Sequence, residues 1–288
     1  MISVCIASYQ DPEGAYLSIF SALAQLEKSD IEWEIINVAD GGTEWKYENA
    51  HPNIRVLRYA GGNRLGSPQA SRDMGIRNSR FKNVLCMDSH VIVSDIVEWA
   101  KEHERLGAAL SFPAMTGASY EMWNLYASEF DWDKTFWNTH VYYKPKREKP
   151  YRVVQASHSG FMLDRDFYLS SGGYTDLQLG YGGEETFLAL KAWMLGRENF
   201  MIPKVWHAHY QPAGRNEGAA DKLDYKKNFL IAAYIFGGME YLRKCEQNYN
   251  VKLHITQKIE EERKRICAGP YRGDLDLFRE FCKEEDIS

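Results

Sequence analysis

Short apolar runs alternate with amphipathic segments along the first half of this 288-residue chain, and that alternation limits the possible fold more than any other feature. Ser3–Ala7 is apolar and partly β-branched, and Tyr16, Ile19, Phe20, Leu23 and Leu26 then recur at helical spacing. Further strands are expected at Trp33–Val38 and Ile54–Leu57. Ser67 followed by Pro68 marks a helix start: serine accepts from a free N–H of the first turn, and proline there lacks only a donor that would have no helical partner. The next strand is Asn83–Met87. Strands separated by helices pair in parallel, so an α/β fold is expected, a Rossmann-like, mostly parallel sheet flanked by helices. The loops after Ala7, Val38 and Met87 then share one rim, the carboxyl edge at which such sheets bind ligands.

The pattern continues through a helix from Asp95 to Leu106 and a strand-like Ala109–Phe112, then lapses between Tyr120 and Pro150. Arg152–Gln155 and Gly160–Leu163 read as later strands. Asp166–Ser170 reads as a short helix ended by Gly172-Gly173, and Glu184–Leu195 as a helix closed by Gly196. Trp206–Tyr210 is a short segment near the same rim, and from Asp221 onward the chain is helical. The dense charges of Lys258–Arg265 read as a solvated helix face. Without a repeat or a low-complexity linker, residues 1–215 are expected to form one domain, with 216–288 a helical extension packed on the same body.

Composition removes several classes. A hydrophobic fraction of 44% supports a large core, and a formal net charge of −5 gives no global attraction to nucleic acid or anionic membrane. No run is long enough to span a bilayer, and the first residues enter a strand directly, so a cytoplasmic protein is expected. The five cysteines contain no C-x-x-C pair, and Cys5 and Cys86 fall inside strand-like runs, which favours buried reduced thiols over a zinc site.

The chemistry concentrates at three places. Val84-Leu85-Cys86-Met87 runs straight into Asp88-Ser89-His90, placing a carboxylate and an imidazole at the mouth of a buried strand. An ordinary polar turn would read the same way. Gly180-Tyr181-Gly182-Gly183 precedes Glu184 and Glu185, two carboxylates opening a helix whose free N–H groups and dipole keep anions ionised. Val205-Trp206-His207-Ala208-His209 adds two imidazoles on one side of an extended segment. His207 is the first choice to complete a metal site with Asp88 and His90, and His209 is the reserve. A mixed carboxylate and imidazole set suits Mn²⁺ or another first-row divalent ion better than Ca²⁺, which prefers oxygen donors alone; Mg²⁺ is kept as the other candidate ion.

Taken together and in this order, these segments resemble the nucleotide-sugar-dependent glycosyltransferases of GT-A fold, particularly family 2 enzymes and the polypeptide N-acetylgalactosaminyltransferase group, over about the first 215 residues. Ser3-Val4-Cys5-Ile6-Ala7-Ser8-Tyr9 is similar to the family's opening strand and nucleotide-binding turn, which makes Ala7 and Tyr9 donor contacts by resemblance. Asn37-Val38-Ala39-Asp40-Gly41-Gly42-Thr43 resembles its D-D-G-S-T, with Ala39 replacing the first acid and Asp40 left to contact base or ribose. Asn63-Arg64-Leu65-Gly66 and Ala70-Ser71-Arg72-Asp73-Met74-Gly75 resemble the segment before the metal strand, which brings Arg72 toward the nucleotide. Asp88-Ser89-His90 matches the D-x-H form of D-x-D, Gly182-Gly183-Glu184-Glu185 resembles the G-G-E-D or G-G-E-N acceptor motif, and His207 stands where a third ligand would follow.

The resemblance implies a metal-dependent transferase moving a sugar from a nucleoside diphosphate sugar, a UDP-sugar by analogy, to an acceptor hydroxyl. Asp88, His90 and His207 would hold the ion at the diphosphate. Arg215, in a glycine-containing segment, would close over it, although a solvated loop arginine reads equally well. For an inverting reaction Glu185 is the base and Glu184 binds a hydroxyl; for a retaining one both orient sugars. Trp123 and Trp132 are candidates for stacking on sugar faces. Lys144, Lys146, Arg147 and Lys149 leave room for a phosphate-bearing acceptor, such as modified nucleic acid, beside the glycan or glycoconjugate alternatives. A sugar nucleotidyltransferase would need a glycine-rich loop after the first strand, which Ala7-Ser8-Tyr9-Gln10-Asp11 lacks, and a catalytically silent carbohydrate-binding scaffold would not need the acids and imidazoles.

Overall fold

The computed structural model describes residues 1–40, 51–59, 67–116, 125–130, 138–142, 148–153, 159–174, 177, 182–210 and 222–270, with the backbone alone at 114–116, 125–130, 138–142, 184–186 and 222. The elements run β1 (Ile2–Tyr9), α1 (Pro12–Leu26), β2 (Trp33–Asp40), β3 (Ile54–Tyr59), α2 (Pro68–Asn78), β4 (Asn83–Asp88), β5 (Val91–Val93), α3 (Ile96–Leu106) and β6 (Leu110–Thr116). They continue with β7 (Leu125–Phe130), β8 (Asn138–Tyr142), β9 (Tyr151–Arg152), β10 (Gly160–Asp164), α4 (Arg165–Ser170), α5 (Glu184–Met194), β11 (Asn199–His209), α6 (Lys222–Tyr249) and α7 (Gln257–Cys267).

The main sheet has the order β3-β2-β1-β4-β10-β6-β11-β5, with β9 beside β11, and β7 pairs with β8 separately. From β3 to β4 every pairing is parallel, as the alternation requires. β10 then enters antiparallel to both β4 and β6, while β11 lies parallel to β6. Two reversals restore direction, so the ends of β1, β2, β4 and β11 share one rim. β11 is longer than the expected Trp206–Tyr210, and its irregular register between Ile202 and Trp206 absorbs the extra length.

Side-chain alternation gives the sheet two apolar faces. Ile2, Val4, Ile6, Leu85 and Met87 pack under Ala15, Ile19, Ala22 and Leu26 of α1 and Ile96 and Trp99 of α3. Cys5, Val84, Cys86, Phe161 and Leu163 face Ile76 of α2, Phe167 and Tyr168 of α4 and Leu188, Ala189 and Ala192 of α5. Cys5 and Cys86 are buried free thiols, and desolvation raises both, Cys5 to about 12. The caps follow the sequence: Ser67 accepts from the Ala70 N–H to open α2, and Asp95 from the Glu98 N–H to open α3.

A third apolar layer joins the outer face of α5, through Phe187, Leu190, Trp193 and Met194, to α6 and α7. The charged run of α7 keeps the expected solvated face at Lys258, Glu261, Lys264 and Arg265, which are exposed, and departs from it at Glu262. Glu262 is buried against Lys191 of α5 at 2.5 Å, Arg263 donates to the Tyr234 and Ile235 carbonyls beside the Gly238 kink of α6, and Arg265 donates to the Ser171 carbonyl. Glu262 faces inward because Lys191 meets it there, which offsets the desolvation that would otherwise keep it in water. No described helix is long and apolar enough to cross a membrane.

Candidate active site

The rim gathers Ala7, Tyr9, Asp40, Asp88, His90, His207 and His209. Ala7 stands opposite both Val38 and Asp88 across the parallel ladders, and its carbonyl accepts from the Ser89 N–H at 3.1 Å. Tyr9 ends β1 opposite Asp40, and Asp40, buried in the adjoining strand, accepts from the Ser71 hydroxyl of α2 at 3.3 Å. One helical step along α2, buried Arg72 donates from Nη2 to Oδ1 of Asp88 at 2.6 Å and lies over the Phe161 ring, 5.7 Å from its centroid. Arg72 therefore reaches the site through the carboxylate that the D-x-H motif contributes.

The imidazole of His90 is buried, and its backbone adopts a left-handed φ of 68°, uncommon for a side-chain-bearing residue. The His90 N–H donates to the Gly14 carbonyl, and the His90 carbonyl accepts from the Tyr210 N–H, so the start of α1 and the residue that follows β11 hold this turn. Nε2 of His90 lies 3.0 Å from Nε2 of His209, with the rings stacked at a centroid distance of 4.9 Å. Oδ2 of Asp88 is 3.9 Å from the same His209 nitrogen.

His209, the reserve, is thus the imidazole that meets Asp88 and His90. His207 is fully buried, with Nε2 2.7 Å from the Ser159 hydroxyl. Desolvation, with His209 nearby, pushes it down to about 3 against the pull of Asp88, so it is neutral at physiological pH. It packs behind the site, over Gly160.

Among the described residues, no three His, Cys, Asp or Glu side chains close on one point as a finished metal cage. The donors nevertheless suit a divalent ion. Two ligand atoms each about 2.1 Å from an ion and at right angles to one another are about 3 Å apart, which is the His90 to His209 spacing. A carboxylate oxygen adjoins them, and two imidazoles with one carboxylate favour a first-row ion over Ca²⁺.

α5 begins behind Gly182 and Gly183, at φ 98° and 78°, with Gly183 as N-cap. A Cβ at Gly182 would fall 1.9 Å from the Tyr225 ring of α6, whose Asn228 donates to the Gly182 carbonyl at 2.7 Å, so the glycine lets α6 press on the start of α5. Glu184 and Glu185 form the first turn of α5; their side chains lie outside the described residues, as do Arg215, Trp123, Trp132, Lys144, Lys146 and Arg147. Lys149 is described and exposed.

Asp11 is a site residue that the sequence reading missed. Its Oδ2 lies 2.6 Å from Nδ1 of His90 and accepts from the Ser89 hydroxyl at 2.7 Å, while Oδ1 accepts from the Gly14 N–H at 3.1 Å. Although burial raises its carboxyl, the hydrogen bonds from His90, Ser89 and Gly14 hold it below the ordinary aspartate value. The available signal was Asp11 before Pro12, a helix-cap pattern, which says nothing of a contact 79 residues away.

Residues 3–170 match the model of glycosyl transferase family 2. No curated protein sequence matches the chain. Among solved structures, GalNAc-T7 with UDP, GalNAc and Mn²⁺ superposes with a TM-score of 0.73 at 14% identity, covering 92% of this chain and 54% of that one. The chain thus spans about half the length of that relative. S. aureus TarS 1-349 gives a TM-score of 0.56 at 13% identity over 95% of this chain and 82% of that one. Its complex with UDP-GlcNAc gives 0.58 at 14% identity, over 95% and 83%. At these identities the structural likeness establishes the fold.

Proposed function

The chain belongs to glycosyl transferase family 2, and we propose that it transfers a sugar from a UDP-sugar to an acceptor hydroxyl, with a divalent ion at the donor diphosphate. The observation that carries this reading is the convergence of Asp88, His90 and His209 at the carboxyl rim. UDP and Mn²⁺ accompany GalNAc-T7, and UDP-GlcNAc accompanies TarS, which supports the donor class and the ion.

Asp88, His90 and His209 would hold Mn²⁺ or Mg²⁺, which supplies charge neutralisation at the departing diphosphate. Arg72 orients Asp88 by taking one oxygen and leaving the other turned toward His209. Asp40, at the end of β2, is the proposed contact to ribose or base, with Ala7 and Tyr9 forming the neighbouring wall. Arg215 is the proposed diphosphate contact from the segment after β11. Glu185 takes the proton from the acceptor oxygen as it attacks, with inversion of the anomeric centre, and Glu184 binds a sugar hydroxyl. Their place in the first turn of α5 supports this, because the helix N-terminus favours an ionised carboxylate. The acceptor is a glycan or glycoconjugate, with modified nucleic acid as the phosphate-bearing alternative.

The test is UDP release from a panel of UDP-sugars with Mn²⁺, with and without chelator, alongside NMR of the product anomer. Chelator-sensitive release with an inverted anomer supports the reading in full; a retained anomer keeps the transfer and removes Glu185 as base. Release unaffected by chelator would remove the metal.

A further inference from the structure

Asp11 divides its two carboxylate oxygens between unrelated tasks. Oδ1 caps α1 through the Gly14 N–H, as aspartate commonly does at a helix start. Oδ2 reaches 79 residues along the chain to Nδ1 of His90 at 2.6 Å, and also accepts from the Ser89 hydroxyl at 2.7 Å. An ionised carboxylate can only accept, so the ring nitrogen facing it must carry the proton. A neutral imidazole protonated at Nδ1 presents its lone pair at Nε2, and Nε2 is the atom that faces His209 at 3.0 Å.

The backbone around Asp11 serves the same contact. A Cβ at Gly14 would stand 2.3 Å from Oδ2 and 2.8 Å from Cγ of Asp11, so a side chain there would evict the carboxylate from His90. Gly14 lies within α1, where alanine would favour the helix by roughly 1 kcal/mol over glycine. Helix stability therefore does not account for a glycine at this position, whereas access of Asp11 to His90 does. The Gly14 carbonyl also accepts from the His90 N–H, so the first turn of α1 grips both the main chain and the ring of the same residue.

We infer that Asp11 is the positioning residue of the metal site, fixing the tautomer and ring plane of His90 so that Nε2 is offered to a divalent ion, and that Gly14 lacks a side chain to admit it. This rests on the metal reading given above. Carboxylates that hold a metal-bound imidazole in this way typically contribute about 10–100-fold to metal affinity.

Mn²⁺ binding without donor or turnover, followed by the EPR signal of the free ion, tests the inference in the wild-type 288-residue chain, Asp11→Ser, Asp11→Asn and Gly14→Ala. Asp11→Ser keeps a capping oxygen for α1 but is too short to reach His90; Asp11→Asn keeps the shape and removes the charge. The expected result is an affinity lower by about 10–100-fold in Asp11→Ser and Gly14→Ala, with unfolding temperatures close to wild type. Long-range ¹⁵N–¹H correlation of the His90 ring, recorded without metal, should show the Nδ1–H tautomer in wild type and a tautomer mixture in Asp11→Ser. Wild-type Mn²⁺ affinity in both Asp11→Ser and Gly14→Ala would overturn the inference, as would an Nε2–H tautomer in the wild type. Should Asp11→Ser fail to fold, Asp11→Asn and Gly14→Ala carry the same comparison. Absence of Mn²⁺ binding to the wild type while His90 keeps its Nδ1–H tautomer would overturn the role through its premise, locating the error in the metal reading rather than in the Asp11 contact.

Discussion

Arg72 donates from Nη2 to Oδ1 of Asp88 at 2.6 Å, with its own side chain 3% exposed and that of Asp88 28% exposed. A nearly buried guanidinium is thus matched to the carboxylate that ends β4, and it ties α2 to the donor side of the rim. The pair orders one carboxylate oxygen and leaves the second facing His209.

Replacing Arg72 with methionine should release Asp88 by removing the guanidinium that holds its Oδ1. Misplacing a reacting group by about 1 Å can cost roughly 10²-fold, and a loss of that order is expected in kcat/KM for the UDP-sugar. Lysine should restore only part of it, because an ammonium does not reproduce the geometry of the planar fork. Steady-state kinetics of the two variants checks this; equal activity of Arg72→Met and wild type would dismiss the positioning role.

His209→Ala and His207→Ala should separate two kinds of histidine. The first should weaken Mn²⁺ binding by at least about 10-fold with little change in unfolding temperature, since His209 is partly exposed at the rim. The second should keep Mn²⁺ affinity within about 3-fold yet lower stability by roughly 1–3 kcal/mol, because it leaves the buried Ser159 hydroxyl without this partner. The opposite pattern would return the third-ligand role to His207.

Lys191 and Glu262 form a buried pair, 0% and 2% exposed, that fastens α7 to α5. Burial lowers Lys191 to about 8, while Glu262 pulls in the opposite direction and keeps the ammonium charged at neutral pH. Lys191→Met should cost about 3–5 kcal/mol, whereas the double variant Lys191→Met with Glu262→Leu should recover most of the loss, since no buried charge is left uncompensated. Urea denaturation of the three proteins measures this. A double variant no more stable than the single would show that packing, not charge compensation, sets the cost.

Two buried histidines contribute to the acid limb of stability, beside carboxyls such as Asp11 and Asp164 that, against desolvation, hydrogen bonds hold below the ordinary aspartate value. Desolvation pushes His103 and His207 each down to about 3 from an ordinary 6.5. Well above pH 6.5 neither state binds the proton, so neither histidine makes stability vary with pH. Between about 6.5 and 3 the unfolded chain takes up protons that the folded chain refuses, and stability falls on acidification by at most about 1.4 kcal/mol per pH unit per histidine. His103→Gln should therefore flatten the dependence of unfolding free energy on pH between pH 6 and 5 by roughly 1 kcal/mol. An unchanged slope would mean that His103 protonates in the folded protein.

The strand and helix order of the first half was legible because local periodicity and caps such as Ser67 and Asp95 agree with the tertiary structure. The antiparallel entry of β10 was not, since Gly160–Asp164 reads as a buried strand whichever way it runs. Asp88 and His90 could be named from their motif, while the choice between His207 and His209 depended on rotation and local twist along β11. Two imidazoles at alternate positions share a face in the sequence, yet one turns to Ser159 and the other to His90. Asp11 and the buried Glu262 of α7 escaped for the same reason: long-range polar contacts give a solvated-looking residue its interior role.

The central claim, that Asp88, His90 and His209 hold a divalent ion for the donor diphosphate, is tested most directly by calorimetric titration of UDP into the protein with Mn²⁺ or with EDTA. EDTA should weaken UDP binding to the wild type by at least about 10-fold, and Asp88→Asn should bind UDP with the same weakened affinity in both buffers. Wild-type UDP affinity indifferent to EDTA, or a full Mn²⁺ effect retained in Asp88→Asn, would contradict it.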